Sequence, residues 1–192
     1  MGEVVRLPDA DRDGRQSLGV SLYLLASSAT WVLLASLFLF VRTEATPWPP
    51  RGASVPPVWI PAAPTILVAG LVLVLRASVQ DLVAARLTGL RRRLTWALGL
   101  GAAFALAGSV LWVVLSIRGY RSQSPPGAVF VLLFTWLGVH GLMGVATLAW
   151  VRGGVKSGKY HARNSVHVRF VARLWYFVAA HWLATWILLF LW

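Results

Sequence analysis

Two histidines, His140 and His181, are the residues of this sequence best placed to do chemistry. Each falls near the middle of a long uncharged run, judged by its distance from Arg152 in the first case and from Arg169 and Arg173 in the second. Mid-depth imidazoles on neighbouring helices could ligate a haem iron from both sides. No other motif corroborates haem, so the plainer reading is preferred: each imidazole hydrogen-bonds a neighbouring helix or a subunit. His161 and His167 belong to a basic loop, where surface exposure or contact with a partner is expected. Neither pair supplies the roughly three or four ligands of a zinc site, so no metal is expected in this chain. The absence of cysteine excludes disulfides, thiolate metal sites, iron–sulfur clusters and haem attached through CxxCH.

Acids and nucleophiles add little to this inventory. The six acids are Glu3, Asp9, Asp11, Asp13, Glu44 and Asp81, none in an expected membrane core. Energy transduction usually needs carboxylates there, so a self-sufficient proton pump or ion-coupled transporter is a poor fit. Asp81 is expected at the cytoplasmic end of a helix beside Arg76 or Arg86. Ser27, Ser28, Thr30, Ser109, Thr135, Thr147 and Thr185 read as backbone-bonded helix residues, because no base stands beside them in sequence.

The elements that position these residues follow from composition. Hydrophobic residues make up 58% of the 192 positions and charged ones 12%, too little ionisable surface for a soluble globule of this length. Uncharged runs cover Ser17 to Val41, Gly52 to Leu75, Leu94 to Ile117, Ser122 to Val151 and Leu174 to Trp192, each near or above the roughly 18 to 20 residues that cross hydrocarbon as a helix. Backbone groups cannot go unpaired in lipid, and ten-residue alternating strands are absent, so the fold class is an all-α membrane protein. The expected organisation is a tail over 1–17 and one transmembrane domain over 18–192, with helices about 18–41, 61–85, 94–117, 126–151 and 170–192. Pro56, Pro57, Pro61 and Pro64 crowd the second run, so that helix should start near Pro61 or Pro64. The first run is read as a retained helix rather than a signal peptide, given its length and the polar residues before it. Short connections should make sequential helices antiparallel neighbours, and no internal repeat suggests a duplicated transporter.

The formal charge of +12 is distributed unevenly. Alternate segments between the runs hold 14 and 4 of the lysines and arginines, which places the N-terminus in the cytoplasm and the C-terminus outside. Because these residues bracket hydrophobic ends, anionic headgroups are their expected partners and nucleic acid is not. Tryptophans fit the same register: Trp48 and Trp59 at the outer face, Trp96, Trp150 and Trp175 near the inner one, and Trp192 outside again. Gly101, Ala105 and Gly108 on the third run, and Gly138, Gly141 and Gly144 on the fourth, should let helices approach closely.

Several motifs occur in order: LGVSLYLLASSATWVLLA on the first run, WPP at Trp48 to Pro50, VHGLMG on the fourth and LWYFVAAHW on the fifth. Together they resemble subunit III of the haem-copper terminal oxidases, in the short five-helix bacterial form, from about Leu18 to Trp192. The family's LGxxLFLASE is matched by Leu18, Gly19, Leu22, Leu24, Leu25, Ala26 and Ser27, with Ser28 in place of the acid. Its GxHGxH is matched at Gly138, His140 and Gly141, with Met143 for the second histidine. Its WHFVDVVW is matched at Trp175, Phe177, Val178 and Trp182, with Tyr176 and Ala179 for the histidine and aspartate. The family's FxxxQxxEY puts Gly108 and Leu111 where glutamine and glutamate stand, with Trp112 for the aromatic. The apolar framework is kept while nearly every intramembrane polar group is replaced, so the family's proton-supply role is not carried over.

The resemblance implies an accessory subunit with no catalytic residue or cofactor of its own. It would pack against a catalytic haem-copper subunit, which with other partner subunits carries the haem and copper, in a bacterial inner membrane. It would also hold phospholipid in a cleft between its first two helices and the other three. Arg76, Arg86, Arg91, Arg92 and Arg93 are the headgroup candidates. Two alternatives stay open: a bis-histidine membrane cytochrome on His140 and His181, and a subunit or assembly factor of another respiratory complex.

Overall fold

The structure, a computed structural model, describes residues 9–45, 57, 59–118, 125–160 and 165–191. Trp48 with the WPP motif, Pro56, Arg51, Arg121, His161, Arg163 and Trp192 lie outside them. Among the described residues all regular structure is helical: α1 over Asp9–Glu44, α2 over Ala62–Val83, α3 over Leu87–Ile117, α4 over Pro125–Lys156 and α5 over Val166–Trp186, the last continuing as a wider π-helical turn over Ile187–Leu191. All five helices are long and apolar enough to cross a membrane.

The helices outrun the uncharged windows at the basic end of the bundle. α1 begins at Asp9 rather than near 18, α3 at Leu87 rather than 94, α4 ends at Lys156 rather than 151, and α5 begins at Val166 rather than 170. The expected loop between the second and third runs is therefore mostly helix, with residues 84–86 alone as the turn. Arginine, leucine and alanine are good helix formers, so a charged flank ends the hydrophobic window without ending the helix. Pro61 and Pro64 flank the start of α2, where no intrahelical N–H is required of them.

Helices α2, α3, α4 and α5 form a closed square in which each packs on its sequence neighbour and α5 returns to α2. Its core runs from Val68, Leu71 and Leu75 on α2 through Leu94 and Phe104 on α3 and Leu148 on α4 to Trp175, Val178 and Trp182 on α5. Helix α1 stands outside this square. It packs against α4 and α5, not against α2, which departs from the expectation of antiparallel sequential neighbours. The long connection over residues 45–61 leaves α1 free to pack elsewhere, whereas the tight 84–86 turn binds α2 to α3. The expected cleft between the first two helices and the other three is consequently not the geometry adopted, because α2 is a full member of the square.

Both turns at the basic end close in the same way. α4 ends with Gly158 at a φ of +78°, Gly158 N–H donating to the Val155 carbonyl at 3.3 Å and Lys159 N–H to that of Gly154 at 2.8 Å. α2 ends with Ala85 at a φ of 55°, Ala85 N–H donating to the Leu82 carbonyl at 3.1 Å and Arg86 N–H to that of Asp81 at 2.8 Å. These are Schellman closures, which satisfy the last helix carbonyls; the second places alanine where glycine is usual.

Candidate functional site

The two histidines of the fourth and fifth helices meet in one aromatic cluster built by α1, α4 and α5. Trp136 lies 4.0 Å from the His140 ring and 5.3 Å from that of His181, while Phe177 lies 5.6 Å and 4.1 Å from them. From α1, Tyr23 stacks on His140 at 6.1 Å and Trp31 meets His181 edge-on at 5.3 Å. Two further bonds fasten α1: Trp31 Nε1–H donates to Thr185 Oγ1 at 2.9 Å, and the Tyr23 hydroxyl to the Met143 sulfur at 3.5 Å. The contacts from α1 span more than a hundred residues of sequence, which hides this cluster from any local reading.

Each imidazole is oriented by its own helix. His140 Nδ1–H donates to the Trp136 carbonyl at 2.8 Å and His181 Nδ1–H to that of Phe177 at 2.9 Å. A carbonyl can only accept, so the proton sits on Nδ1 and the lone pair on Nε2. Nε2 of His140 is buried without a hydrogen-bond partner. An oriented imidazole with a bare Nε2 is what a haem ligand requires. The surroundings do not fit a porphyrin: Trp136 and Phe177 each contact both imidazoles, so aromatic rings take up the space around the pair.

Glycines on α3 and α4 create a notch for one indole of α5. Trp175 is fully buried and donates its Nε1–H to the Gly144 carbonyl at 3.2 Å. A Cβ on Gly144 would stand 2.8 Å from two carbons of that ring, and one on Gly101 would stand 3.0 Å from it. Trp175, expected near the inner face, is thus turned into the bundle and stands at the centre of the packing. Trp182 sits two turns further along, edge-on to Phe104 at 5.4 Å, and donates Nε1–H to Thr65 Oγ1 on α2 at 2.9 Å. Phe177 and Val178 are buried beside these indoles.

The two small-residue stripes divide their work. Gly101 and Gly144 receive Trp175, and Gly141 approaches Phe104. Gly108 and Gly138 have nothing within 4 Å of the space a Cβ would take. They line an apolar recess of about 200 Å³ between α3 and α4, walled by Phe104, Phe134, Trp112 and Trp182.

At the basic end, Asp81 is buried with its carboxylate 3.3 Å from Arg86 Nε and 3.1 Å from Arg93 Nε. The second contact is an ion pair without hydrogen-bond alignment. Arg93 Nη1 also donates to the Ala77 carbonyl at 2.6 Å. Gly89 lets the carboxylate lie against the first turn of α3, where a side chain would meet it and where the helix dipole favours negative charge. Of the expected neighbours, Arg86 pairs with Asp81; Arg93 takes the second place and Arg76 does not pair with it. Among the headgroup candidates, Arg86 and Arg93 are therefore already engaged, while Arg76, Arg91 and Arg92 are exposed. Arg152 and Arg173 tie helices together, the first donating to Thr95 Oγ1 and the second to Ser17 Oγ, each at 3.0 Å.

His167, Tyr160 and Trp150 form a second aromatic group at this end, with Tyr160 stacked on His167 at 4.8 Å and Trp150 edge-on to it at 5.0 Å. Gly154 makes room for the Tyr160 ring, and burial pushes the Tyr160 phenol above its ordinary value of 10.0. His167 is therefore a packed residue rather than an exposed loop one. No grouping of three or more histidines and carboxylates that could hold a metal occurs among the described residues. No protein-family model and no curated protein matches the chain.

Proposed function

We propose that this chain is a non-catalytic accessory subunit of a respiratory haem-copper oxidase in a bacterial inner membrane, with its N-terminus and basic end in the cytoplasm. Its role is to brace the catalytic subunit and to hold phospholipid at the shared boundary. The observation that carries the reading is the employment of the motif residues: Trp175, Phe177, Val178, Trp182, His140 and Gly141 are spent on packing helices against one another. A membrane bundle whose buried polar groups serve its own architecture suits a structural partner better than a transporter or an enzyme. The motif order from Leu18 to Trp192 supplies the family, and the unequal basic residues supply the orientation.

The bis-histidine cytochrome is the second reading, favoured by one observation, the bare and buried Nε2 of His140. Binding haem would require Trp136 and Phe177 to swing away from the imidazoles.

Purification in mild detergent through an N-terminal tag, with a reduced-minus-oxidised spectrum and identification of co-purifying chains, separates the two. The accessory reading expects haem together with a large catalytic subunit and none on the separated 21.0 kDa chain. Haem retained by this chain alone, and lost on His140→Ala or His181→Ala, overturns it. Partners lacking an oxygen-reducing centre would move the chain to another respiratory complex.

A further inference from the structure

We infer that the recess between α3 and α4 is a binding site for an uncharged, flat aromatic molecule of two fused rings dissolved in the membrane, like indole or naphthalene in size and shape. The site stands independently of the oxidase reading, since it needs only a membrane and this fold.

The recess is the second of two layers built on one repeat. Gly101 and Gly108 lie seven residues apart on α3, and Trp175 and Trp182 seven apart on α5. Each pair therefore shares a helix face, with its members roughly 10 Å apart. In the first layer the Trp175 indole fills the space between Gly101 and Gly144, and its Nε1–H meets the Gly144 carbonyl. In the second layer α4 departs from the repeat: seven residues before Gly144 stands Leu137, a buried side chain in the room an indole would need. Trp182 turns instead toward α2, where it donates to Thr65 Oγ1 at 2.9 Å. The space beside Gly108 and Gly138, about 200 Å³, is left without an indole to fill it.

Shape and lining identify the occupant. Phe104, Phe134 and Trp182 are buried walls, Trp112 is a wall 41% exposed, and both phenylalanines meet Trp182 edge-on, at 5.4 and 6.3 Å. A guest ring gains edge-to-face or offset contacts with such walls beyond simple burial, and an acyl chain does not. An apolar cavity of about 150 Å³ takes one benzene ring, so one of about 200 Å³ has room for a second, fused ring. No lining residue carries a charge. Gly108 stands nine residues before Ile117 and Thr135 ten after Pro125, which puts the recess roughly 15 Å inside those helix ends. An ion is excluded at that depth by its desolvation cost, whereas an uncharged molecule in the hydrocarbon reaches the recess through its exposed side at Gly138 and Thr135. One polar contact is offered there. Ser109 donates its hydroxyl to the Ala105 carbonyl at 2.9 Å, as Thr30, Thr65, Thr95 and Thr147 bond back to their own helices, but Thr135 makes no hydrogen bond among the described residues. A hydroxyl unpaired in hydrocarbon gains from a ring N–H or ring oxygen beside it.

The test uses the full chain purified in mild detergent and titrated with fluoroindole, followed by fluorine NMR against protein-free micelles. Saturable binding of one molecule per chain is expected, displaced readily by naphthalene and poorly by decahydronaphthalene, its saturated counterpart. Gly138→Leu, which builds a side chain into the recess, should abolish the saturable binding. Gly153→Leu, also in open space but at the basic end of α4, should leave it unchanged. Thr135→Val should weaken it about fivefold, the equivalent of ~1 kcal/mol for one hydrogen bond. Trp112→Leu keeps that wall apolar, removes its ring and should weaken binding as well; this variant decides the matter if Gly138→Leu loses its helical circular dichroism. Uptake that never saturates, or that is undiminished in both Gly138→Leu and Trp112→Leu, would be partition into micelles and overturn the site. Equal displacement by naphthalene and decahydronaphthalene would show that the recess takes any apolar bulk, acyl chains included, and would overturn the aromatic occupant. A cross-link from Thr135→Cys to a co-purified helix would give the recess to a protein and overturn it too.

Discussion

Helices α5 and α1 are both mostly apolar and both pack on α4, yet they are attached in different ways. α5 inserts one indole into a notch cut by Gly144 and Gly101, so that Trp175 has no exposed surface. α1 lies on the outside, leaves Leu18, Leu25, Leu33 and Phe40 exposed, and is fastened by a small apolar contact of Phe38 with Val129 and Leu133 of α4 together with side-chain tips: Trp31 to Thr185, Tyr23 to Met143 and Ser17 to Arg173. In lipid there is little hydrophobic gain from bringing two apolar helices together, so close packing and interhelical hydrogen bonds must do the work. The difference shows how each is used: close fit along the helix where it belongs to the core, a small apolar contact reinforced by discrete bonds where it is added at the edge.

Filling the notch should produce the largest effect. Gly144→Val places a branched side chain where even a Cβ would be 2.8 Å from the Trp175 ring, and that ring has no free direction in which to retreat. A loss of about 3 kcal/mol is expected, at the upper end for overpacking a close-packed site, measured by unfolding in mixed micelles with tryptophan fluorescence. Gly138→Val is the control, since nothing lies within 4 Å of its Cβ position, and should cost under about 0.5 kcal/mol. Equal losses at the two glycines would remove the notch from the account of α5.

Asp81→Ala comes next. Removing the carboxylate strands Arg93, a third exposed, beside Arg86, which is 69% exposed and can turn to solvent. Breaking a fully buried pair costs about 3 to 5 kcal/mol, and the exposure of both arginines reduces that to about 2 kcal/mol. The loss should localise to the α2–α3 hairpin, where faster amide exchange over residues 84–93 would report it. Exchange that rises equally in α1 would mean that the edge helix depends on this hairpin, blurring the contrast between the two modes.

How much of this could be read beforehand depends on whether the signal is local. The five helices were legible from uncharged length, because a bilayer sets that length for each helix separately. Their ends were not, because arginine ends a hydrophobic window while favouring the helix itself. Trp175 was legible as a tryptophan near the basic end of its helix; its burial is decided by Gly101 and Gly144, on two other helices. His140 and His181 were legible as residues of two apolar helices, but their shared cluster with Trp136 and Tyr23 depends on α1 bypassing α2, which no spacing encodes. Asp81 was placed at a helix end beside Arg76 or Arg86; Arg86 is the partner, and the second, Arg93, followed only once the intervening segment proved to be a tight turn.

The edge attachment is tested by Trp31→Phe, which keeps an aromatic ring near His181 and deletes the bond to Thr185. Interhelical hydrogen bonds in membranes average ~0.6 kcal/mol, so about that much should be lost. Thr185→Val should cost a similar amount, and the double variant should cost no more than either alone if the two side chains act on each other. Additive losses would separate them. A disulfide between engineered cysteines on α1 and α5 would form more slowly in the variants if α1 is loosened while the square stays intact.

Ala85→Gly should have the smallest effect, and the opposite sign. Ala85 holds a φ of 55° to close α2, a conformation that costs an L side chain ~1 kcal/mol and glycine almost nothing. Glycine also loses more entropy on ordering than alanine does, which offsets part of the gain. A net stabilisation of about 0.5 kcal/mol is expected. The same substitution at Ala84, whose φ of −80° just before the turn suits any L residue, should destabilise by about as much. Opposite signs at adjacent alanines would assign the effect to backbone handedness rather than to packing, because both residues are exposed. If both variants destabilise, the left-handed closure of α2 carries no strain that glycine relieves, and the turn must be held by the Asp81 ion pairs instead.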